Sequence, residues 1–160
     1  MKKIYPIFFA VLALCSCSKN DFKVWKSVNA DLITRVQTDS ADVYKTSPSG
    51  VLYRKLAPTY HTGYKPKPTS YVCVNYKGWL VDGTEFDSGS KEWLYVGNLV
   101  SGWQEILCMM QDGDRWRIYI PYSLGYGSDG TTDDDGNFVI PPYSTLIFDL
   151  EIVGDGVITD

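Results

Sequence analysis

The chain has 160 residues, of which 44% are apolar and 21% charged, and this composition fits one folded domain with its own core. The formal net charge is −4 at pH 7 and no basic cluster is interleaved with aromatic residues, which argues against nucleic-acid binding. The four cysteines form no Cys-x-x-Cys pair and no His/Cys cluster with metal-site spacing, so no metal site is predicted.

The first residues predict export. A basic start precedes the apolar run of residues 4–14, which is too short to span a bilayer and is typical of a secretory signal peptide. The next residues resemble a bacterial lipobox, with Leu14 three positions and the small Ser16 one position before Cys17. Cys17 is therefore the predicted lipidated residue, and Cys15 is the poorer candidate because Leu14 directly precedes it. The alternative is a conventional cleaved signal peptide without lipid.

Residues 20–43 are predicted to form a helix, because apolar residues recur at spacings of three and four. The apolar positions are Phe22, Trp25, Val28, Leu32 and Val36. This helix has three candidate roles: it packs on the domain, it spaces the domain from a membrane, or it forms a dimer contact. A strand is predicted over residues 51–56, and the Pro-rich residues 57–70 are predicted to form a loop in which His61 stands alone.

Residues 72–88 read as a β-hairpin. Val72, Val74, Tyr76 and Gly78 alternate with residues that point to the opposite face, and Asp82-Gly83 is a turn signal. The turn brings Phe86 and Asp87 back towards Tyr76. An ordinary hairpin with a capping aspartate is the alternative interpretation.

A polar break is predicted at residues 89–92, followed by a short strand over residues 93–96 and a turn. A helix then begins near Trp103 and is expected to end with Gly113 at its C′ position. Cys108 in this helix and Cys73 on the outward side of the hairpin are expected on opposite sides of the sheet, so no disulfide is predicted.

The last third of the chain predicts two core strands separated by an acidic loop. In residues 115–120 and 146–152, apolar residues alternate with polar ones. Residues 128–138 are predicted to be a loop, and its three adjacent aspartates, residues 133–135, are read as solvated rather than as a calcium site.

Candidate nucleophiles lack a base. Ser88, Ser123 and Ser144 have no histidine to activate them except His61, which lies in an unrelated loop. The inward aromatic residues instead favour an apolar pocket that binds an apolar group.

Residues 72–88 resemble the pattern V-x-V-x-Y-x-G-x-L-x-D-G-x-x-F-D-S of the FKBP-type peptidyl-prolyl isomerases. Residues 99–103, 121–127 and 140–152 resemble further segments of that family, so the resemblance covers about residues 49–153. It implies an α+β fold, in which an antiparallel sheet of about five strands wraps around one central helix, here with an N-terminal helical extension.

The resemblance also implies a pocket for a prolyl ring. Its residues here are Tyr76, Phe86, Asp87, Leu99, Val100, Trp103, Tyr126, Ile140 and Phe148. Trp103 is the expected floor. Tyr126 and the Ile140 backbone N–H are the expected donors to substrate, and Asp87 lies near the twisting amide and holds Tyr76. The family's reaction uses no cofactor.

Two positions are less clear in this resemblance. Trp93 is the nearest candidate for one further aromatic wall residue. Ile106 stands where the family usually has glycine, which predicts a local difference in helix packing.

These observations together divide the chain into a lipoprotein signal peptide (residues 1–16), a tether and helix (17–48), an isomerase domain (49–154) and a tail (155–160). The expected protein is a membrane-anchored lipoprotein of the cell envelope that isomerises Xaa-Pro bonds in folding exported proteins, with macrolides as pocket ligands. The alternative is a non-catalytic module that binds proline-containing segments on the same fold.

Overall fold

A computed structural model describes residues 21–56 and 63–158. The predicted signal peptide, the Cys17 lipidation site and His61 lie outside the described residues. Within the described ranges no helix is both long and apolar enough to cross a membrane.

The architecture is an antiparallel sheet with one main helix, as predicted. The elements are helices α1 (Asp21–Asp39) and α2 (Ser101–Met109) and strands β1 (Lys45–Thr46), β2 (Leu52–Lys55), β3 (Tyr71–Trp79), β4 (Glu85–Tyr95), β5 (Arg115–Ile120), β6 (Thr131–Thr132), β7 (Phe138–Ile140) and β8 (Leu146–Ile158). Six strands form one sheet in the order β1-β2-β5-β8-β3-β4, with every neighbouring pair antiparallel. Strands β6 and β7 form a separate hairpin.

The core lies between α2 and one face of the sheet. The inward residues of β5 and β8 are fully or almost fully buried, which confirms the predicted alternation: Trp116, Ile118, Ile120, Leu146, Phe148, Leu150 and Ile152. From α2 the core receives Trp103, Ile106 and Leu107. Ile106 is completely buried, so the side chain that departs from the family pattern is accommodated in the core. A Cβ on Gly102 would come within 2.5 Å of Ile120, which shows how closely helix and strand approach.

The first helix ends four residues earlier than predicted, at Asp39. The N–H groups of Val43 and Tyr44 both bond to the carbonyl oxygen of Ser40 at 2.9 Å, and this turn leads the chain into β1. The two-residue strand β1 was not predicted, because so short a segment carries no periodicity.

The predicted polar break at residues 89–92 is wrong. Strand β4 runs continuously from Glu85 to Tyr95. It contains a β-bulge between the pairs Val74–Glu92 and Tyr76–Gly89, where β4 advances three residues while β3 advances two. Lys91 adopts a left-handed φ of 55° at the bulge, and its N–H donates to the side-chain oxygen of Asn75 at 2.9 Å. The bulge interrupts the alternation, so the sequence reads there as a break.

The helix containing Trp103 ends at Met109, and Gly113 is not at its C′ position. The N–H of Met110 bonds to the carbonyl oxygens of Ile106 and Leu107 and closes the helix. Gly113, with φ of 80°, belongs to the following turn.

The acidic loop contains structure that was not predicted. Strands β6 and β7 pair within it, and the Asp133 carboxylate accepts N–H bonds from Asp135 and Asn137 at 3.1 and 2.8 Å. Asp133 therefore organises the hairpin turn. The described ranges hold no group of three or more His, Cys, Asp or Glu arranged to bind a metal ion.

The C-terminal strand is longer than predicted. It continues to Ile158, where it pairs with the start of β3, so residues 155–158 are strand rather than tail. Val157 and Ile158 pair with Val72 and Tyr71 of β3, and a sequence pattern does not reveal this pairing.

Cys73 and Cys108 are free thiols, as predicted. Cys73 is buried in the sheet and Cys108 is half-buried on α2. Burial raises the pKa of both thiols, so neither is activated as a nucleophile.

Candidate active site

A cavity of about 290 Å³ opens beside α2, at the end of the sheet formed by the β3–β4 hairpin. Its lining residues are Tyr76, Phe86, Asp87, Leu94, Asn98, Leu99, Val100, Trp103, Tyr126 and Phe148. The fold thus brings together every predicted wall residue except Ile140 and adds Leu94 and Asn98.

Four aromatic rings form the body of the cavity. Trp103 is only 4% exposed, and its ring meets Tyr76 and Phe148 edge-on with ring centres 5.2 and 5.1 Å apart. Phe86 meets Phe148 in the same way at 5.4 Å. Such edge-to-face pairs each stabilise a protein by about 0.5–1.5 kcal/mol beyond the buried area, so these walls are held in place before any ligand arrives.

Two glycines on β3 and β4 make room for these rings. A Cβ on Gly78 would lie 2.6 Å from Phe148 and 2.8 Å from Phe86, and a Cβ on Gly89 would overlap the Tyr76 ring. Gly78 belongs to the sequence pattern, but its purpose is visible only once the rings are placed.

The polar edge of the cavity is formed by two tyrosines and an aspartate. Tyr76 donates its hydroxyl to the Asp87 carboxylate at 3.0 Å. Burial, together with this hydrogen bond and the charge of Asp87, raises the pKa of Tyr76 to about 12. Burial, with a further contribution from the Asp87 charge, also raises the pKa of Tyr126. Both phenols are therefore neutral hydrogen-bond donors at physiological pH.

Tyr126 stands at the rim and is 41% exposed. Its hydroxyl has no hydrogen-bond partner within the described ranges of the chain. It is therefore free to donate to a ligand carbonyl.

Trp93 is not a wall of this cavity; its neighbour Leu94 is. Trp93 pairs with Cys73 and Leu94 with Val72 across the β3–β4 ladder. Val72 faces the core, so Leu94 does too, while Trp93 faces outward and is 50% exposed. The bulge in β4 sets this register, and a shift of one residue reverses the faces of a strand.

Ile140 is buried on β7 but does not line the cavity. The chain passes closely beside it, since a Cβ on Gly130 would collide with the Ile140 carbonyl oxygen. The role predicted for Ile140 involves its backbone N–H rather than its side chain, and this role stays a prediction.

Asn98 and the residue that holds its turn were missed by sequence reasoning. Gln104 on α2 donates its side-chain amide to the carbonyl oxygens of Leu99 at 2.7 Å and Gly97 at 3.3 Å, which fastens the turn before the helix. Asn98 was predicted only as part of a turn, and Gln104 carries no sequence signal because a polar side chain in a first helical turn is common.

The raised pKa of Tyr76 predicts an alkaline limit to stability. An unfolded tyrosine ionises near pH 10, whereas folded Tyr76 keeps its proton to about pH 12. Between these values the unfolded state binds fewer protons, so the free energy of unfolding falls as pH rises through this window. Tyr76→Phe should make the free energy of unfolding fall less steeply with pH between pH 10 and 12. Urea denaturation at several pH values in this window measures this dependence.

Tyr119 provides the matched comparison, because burial and a hydrogen bond with Tyr44 also raise its pKa to about 12. Tyr119→Phe should reduce the slope by a similar amount, and the double variant by the sum. An unchanged slope in Tyr76→Phe would contradict the assignment of Tyr76.

Comparisons with known proteins agree with this geometry. Residues 63–153 match the family model described as FKBP-type peptidyl-prolyl cis-trans isomerase. The chain is 40% identical over 111 residues to "Macrophage infectivity potentiator" of Trypanosoma cruzi, covering 66% of this chain and 53% of that protein. It is 39% identical over 88 residues to "FK506-binding protein" of Neisseria meningitidis serogroup C, covering 51% of this chain and 76% of that protein.

A solved structure of a peptidyl-prolyl cis-trans isomerase from Pseudomonas syringae superposes with a TM-score of 0.76 at 27% identity, covering 90% of this chain and 99% of that one. The chain spans about half the length of several curated relatives it matches.

Proposed function

The chain belongs to the FKBP-type peptidyl-prolyl cis-trans isomerase family, and we propose that it accelerates the cis–trans isomerisation of Xaa-Pro bonds in the cavity described above. The observation that carries the proposal is the set of four interlocked rings with the Tyr126 side chain at its rim. A cavity of about 290 Å³ has room for a prolyl ring.

The reaction is a rotation about one bond. The barrier of about 20 kcal/mol is the loss of amide resonance, and no bond is made or broken. The planar amide is more polar than the twisted one, so an apolar cavity favours the twisted state relative to the planar state. Each tenfold acceleration requires about 1.4 kcal/mol of such selective stabilisation.

Each residue of the cavity has a proposed role in the reaction. The prolyl ring rests on Trp103, between the walls formed by Phe86 and Phe148. Tyr126 donates its hydroxyl to a substrate carbonyl, and the Ile140 backbone N–H donates to another. Asp87 orients Tyr76 and lies next to the twisting amide.

Tyr126→Phe tests the rim donor. The substitution keeps the ring and removes one hydrogen bond, which corresponds to about 0.5–1.5 kcal/mol or roughly a two- to tenfold loss in kcat/KM. The measurement is a protease-coupled isomerisation assay on a panel of Xaa-Pro peptides. Tyr64→Phe, on a side chain that is 61% exposed and outside the cavity, is the control and should match the wild type.

Loss of activity only in the rim variant supports the proposal. A wild-type protein that binds proline peptides or a macrolide but accelerates no Xaa-Pro peptide would favour the non-catalytic binding module instead. Macrolide binding is proposed here because a relative of this chain is named "FK506-binding protein".

The same proposal includes the cellular location of the protein. Residues 1–16 are removed as a lipoprotein signal peptide, Cys17 is lipidated, and residues 17–48 tether the isomerase domain to the membrane of the cell envelope. The substrates there are proline-containing exported proteins during folding.

Fatty-acid labelling in cells tests the anchor. Cys17→Ser should abolish the incorporated label, whereas Cys15→Ser should retain it, because only Cys17 has a small residue directly before it. Labelling that survives Cys17→Ser would remove the lipid anchor from the proposal.

A further inference from the structure

Helix α1 is hydrogen-bonded to the segment that joins β7 to β8. Asn29 is 1% exposed, and its side-chain oxygen accepts the N–H of Thr145 at 2.6 Å. One turn earlier, Trp25 donates its indole N–H to the Ser144 hydroxyl at 3.0 Å, and that hydroxyl donates to the Pro141 carbonyl oxygen at 2.7 Å. The bonds of Asn29 and Trp25 join residues more than 100 positions apart, so the helix is part of the domain.

The same segment is bonded to the rim of the cavity. The N–H of Tyr143 donates to the Gly127 carbonyl oxygen at 3.0 Å, directly after Tyr126. The N–H of Gly130 donates to the Tyr126 carbonyl oxygen at 3.1 Å, and Gly130 lies against the backbone of Ile140. Hydrogen bonds connect α1 through this segment to the backbone around Tyr126, and the close approach of Gly130 extends these contacts to Ile140.

The segment needs outside support. Tyr143 adopts a left-handed φ of 63°, which a residue with a large side chain rarely takes unless its surroundings hold it there. The ammonium group of Lys26 lies 4.4 Å from the centre of the Tyr143 ring. The Tyr122 ring meets the Tyr143 ring edge-on, with the ring centres 5.3 Å apart. Phe22 packs on Phe138 of β7 at 5.5 Å. The N-terminal helix thus contacts the segment at Tyr143 and the strand before it at Phe138.

We propose that Trp25 and Asn29 are positioning residues of the isomerase, which act through residues 141–145 to hold Tyr126 and the Ile140 N–H towards the substrate. The proposal rests on the proposed isomerase function. It assigns the N-terminal helix to the catalytic unit rather than to a spacer, because a spacer has no need of buried hydrogen bonds to the active-site side of the domain.

The test uses the full chain and two variants: the first removes one hydrogen bond, and the second removes both side-chain bonds of Asn29, to Thr145 and to the Trp25 carbonyl oxygen. Trp25→Phe keeps an aromatic ring and removes the indole N–H, and Asn29→Ala removes the acceptor for Thr145. Each should lower kcat/KM by roughly three- to tenfold, with most of the effect in kcat, because the ring-lined cavity that binds the prolyl group is unchanged. Val24→Ala, on a side chain of α1 that is 67% exposed, is the matched control.

A double-mutant cycle identifies the route. If Trp25 acts through Ser144, adding Ser144→Ala to Trp25→Phe should cost much less in kcat/KM than Ser144→Ala costs alone. Additive effects would show that Trp25 does not act through this hydroxyl and would overturn that link.

Hydrogen exchange supplies a readout that does not depend on activity. In Asn29→Ala the amides of residues 126–130, 140 and 143–145 should exchange about tenfold faster, while amides of β3, β5 and β8 stay as in the wild type. An equal acceleration over the whole domain would indicate only lost stability and would overturn the proposal, as would unchanged exchange with unchanged kcat/KM.

Exchange also separates the two proposals. A wild-type chain without isomerase activity would refute the proposed function, whereas the exchange data would still decide whether α1 holds the rim.

Discussion

Trp103→Ala is expected to lower the free energy of unfolding by about 3–5 kcal/mol, the usual cost of removing a buried tryptophan from a core. Trp103 is 4% exposed and its ring contacts those of Tyr76 and Phe148, so the substitution leaves a void under the cavity. Urea denaturation followed by circular dichroism measures the change.

Trp93→Ala is the matched control because it removes the same side chain from a site that is 50% exposed. Its effect should stay within about 0.5 kcal/mol. Equal effects of the two substitutions would contradict the register of the bulged strand, since that register places Trp93 on the exposed face of the sheet.

Phe86→Ala is expected to cause the largest loss of activity among variants that still fold. The ring closes one side of the cavity, and its removal takes away apolar contact with the prolyl ring and admits water to the twisting amide. Full burial of such a side chain is worth about 1.5–3 kcal/mol, which corresponds to roughly a ten- to hundredfold fall in kcat/KM. The protease-coupled assay measures it.

Phe86→Leu and Tyr64→Ala complete that experiment. Phe86→Leu retains an apolar wall and should lose less activity than Phe86→Ala, whereas Tyr64→Ala removes an exposed aromatic side chain and should lose none. Circular dichroism must show that each variant is folded, because Phe86 also packs on Phe148. Wild-type activity in folded Phe86→Ala would exclude this cavity as the site of isomerisation.

The two experiments address different properties of one cavity. Trp103 lies below the cavity and belongs to the core, so its loss acts first on folding. Phe86 is half-buried at the side, so its loss acts first on the ligand. If Trp103→Ala mainly lowers stability and Phe86→Ala mainly lowers activity, the floor of the cavity belongs to the core and its side wall contacts the substrate.

Much of the fold and of the cavity was predictable from the sequence because the signals are local. Tyr76 and Asp87 lie eleven positions apart across one turn, so a hairpin is enough to bring them within 3.0 Å. The alternation in β5 and β8 and the spacing in α2 likewise define which side chains face the core. The resemblance to a known family added the pocket and its chemistry to these patterns.

The sequence did not determine which elements pack against each other over long sequence separations. Only the tertiary structure decided these contacts. Trp93 and Leu94 exchange faces because of one extra residue in β4, and a bulge leaves no periodic signal. The amphipathic pattern of α1 predicted a helix but not its contact with Thr145, 116 positions away from Asn29. Periodicity reports which face of an element is apolar, whereas the identity of the covering surface depends on how the whole chain packs.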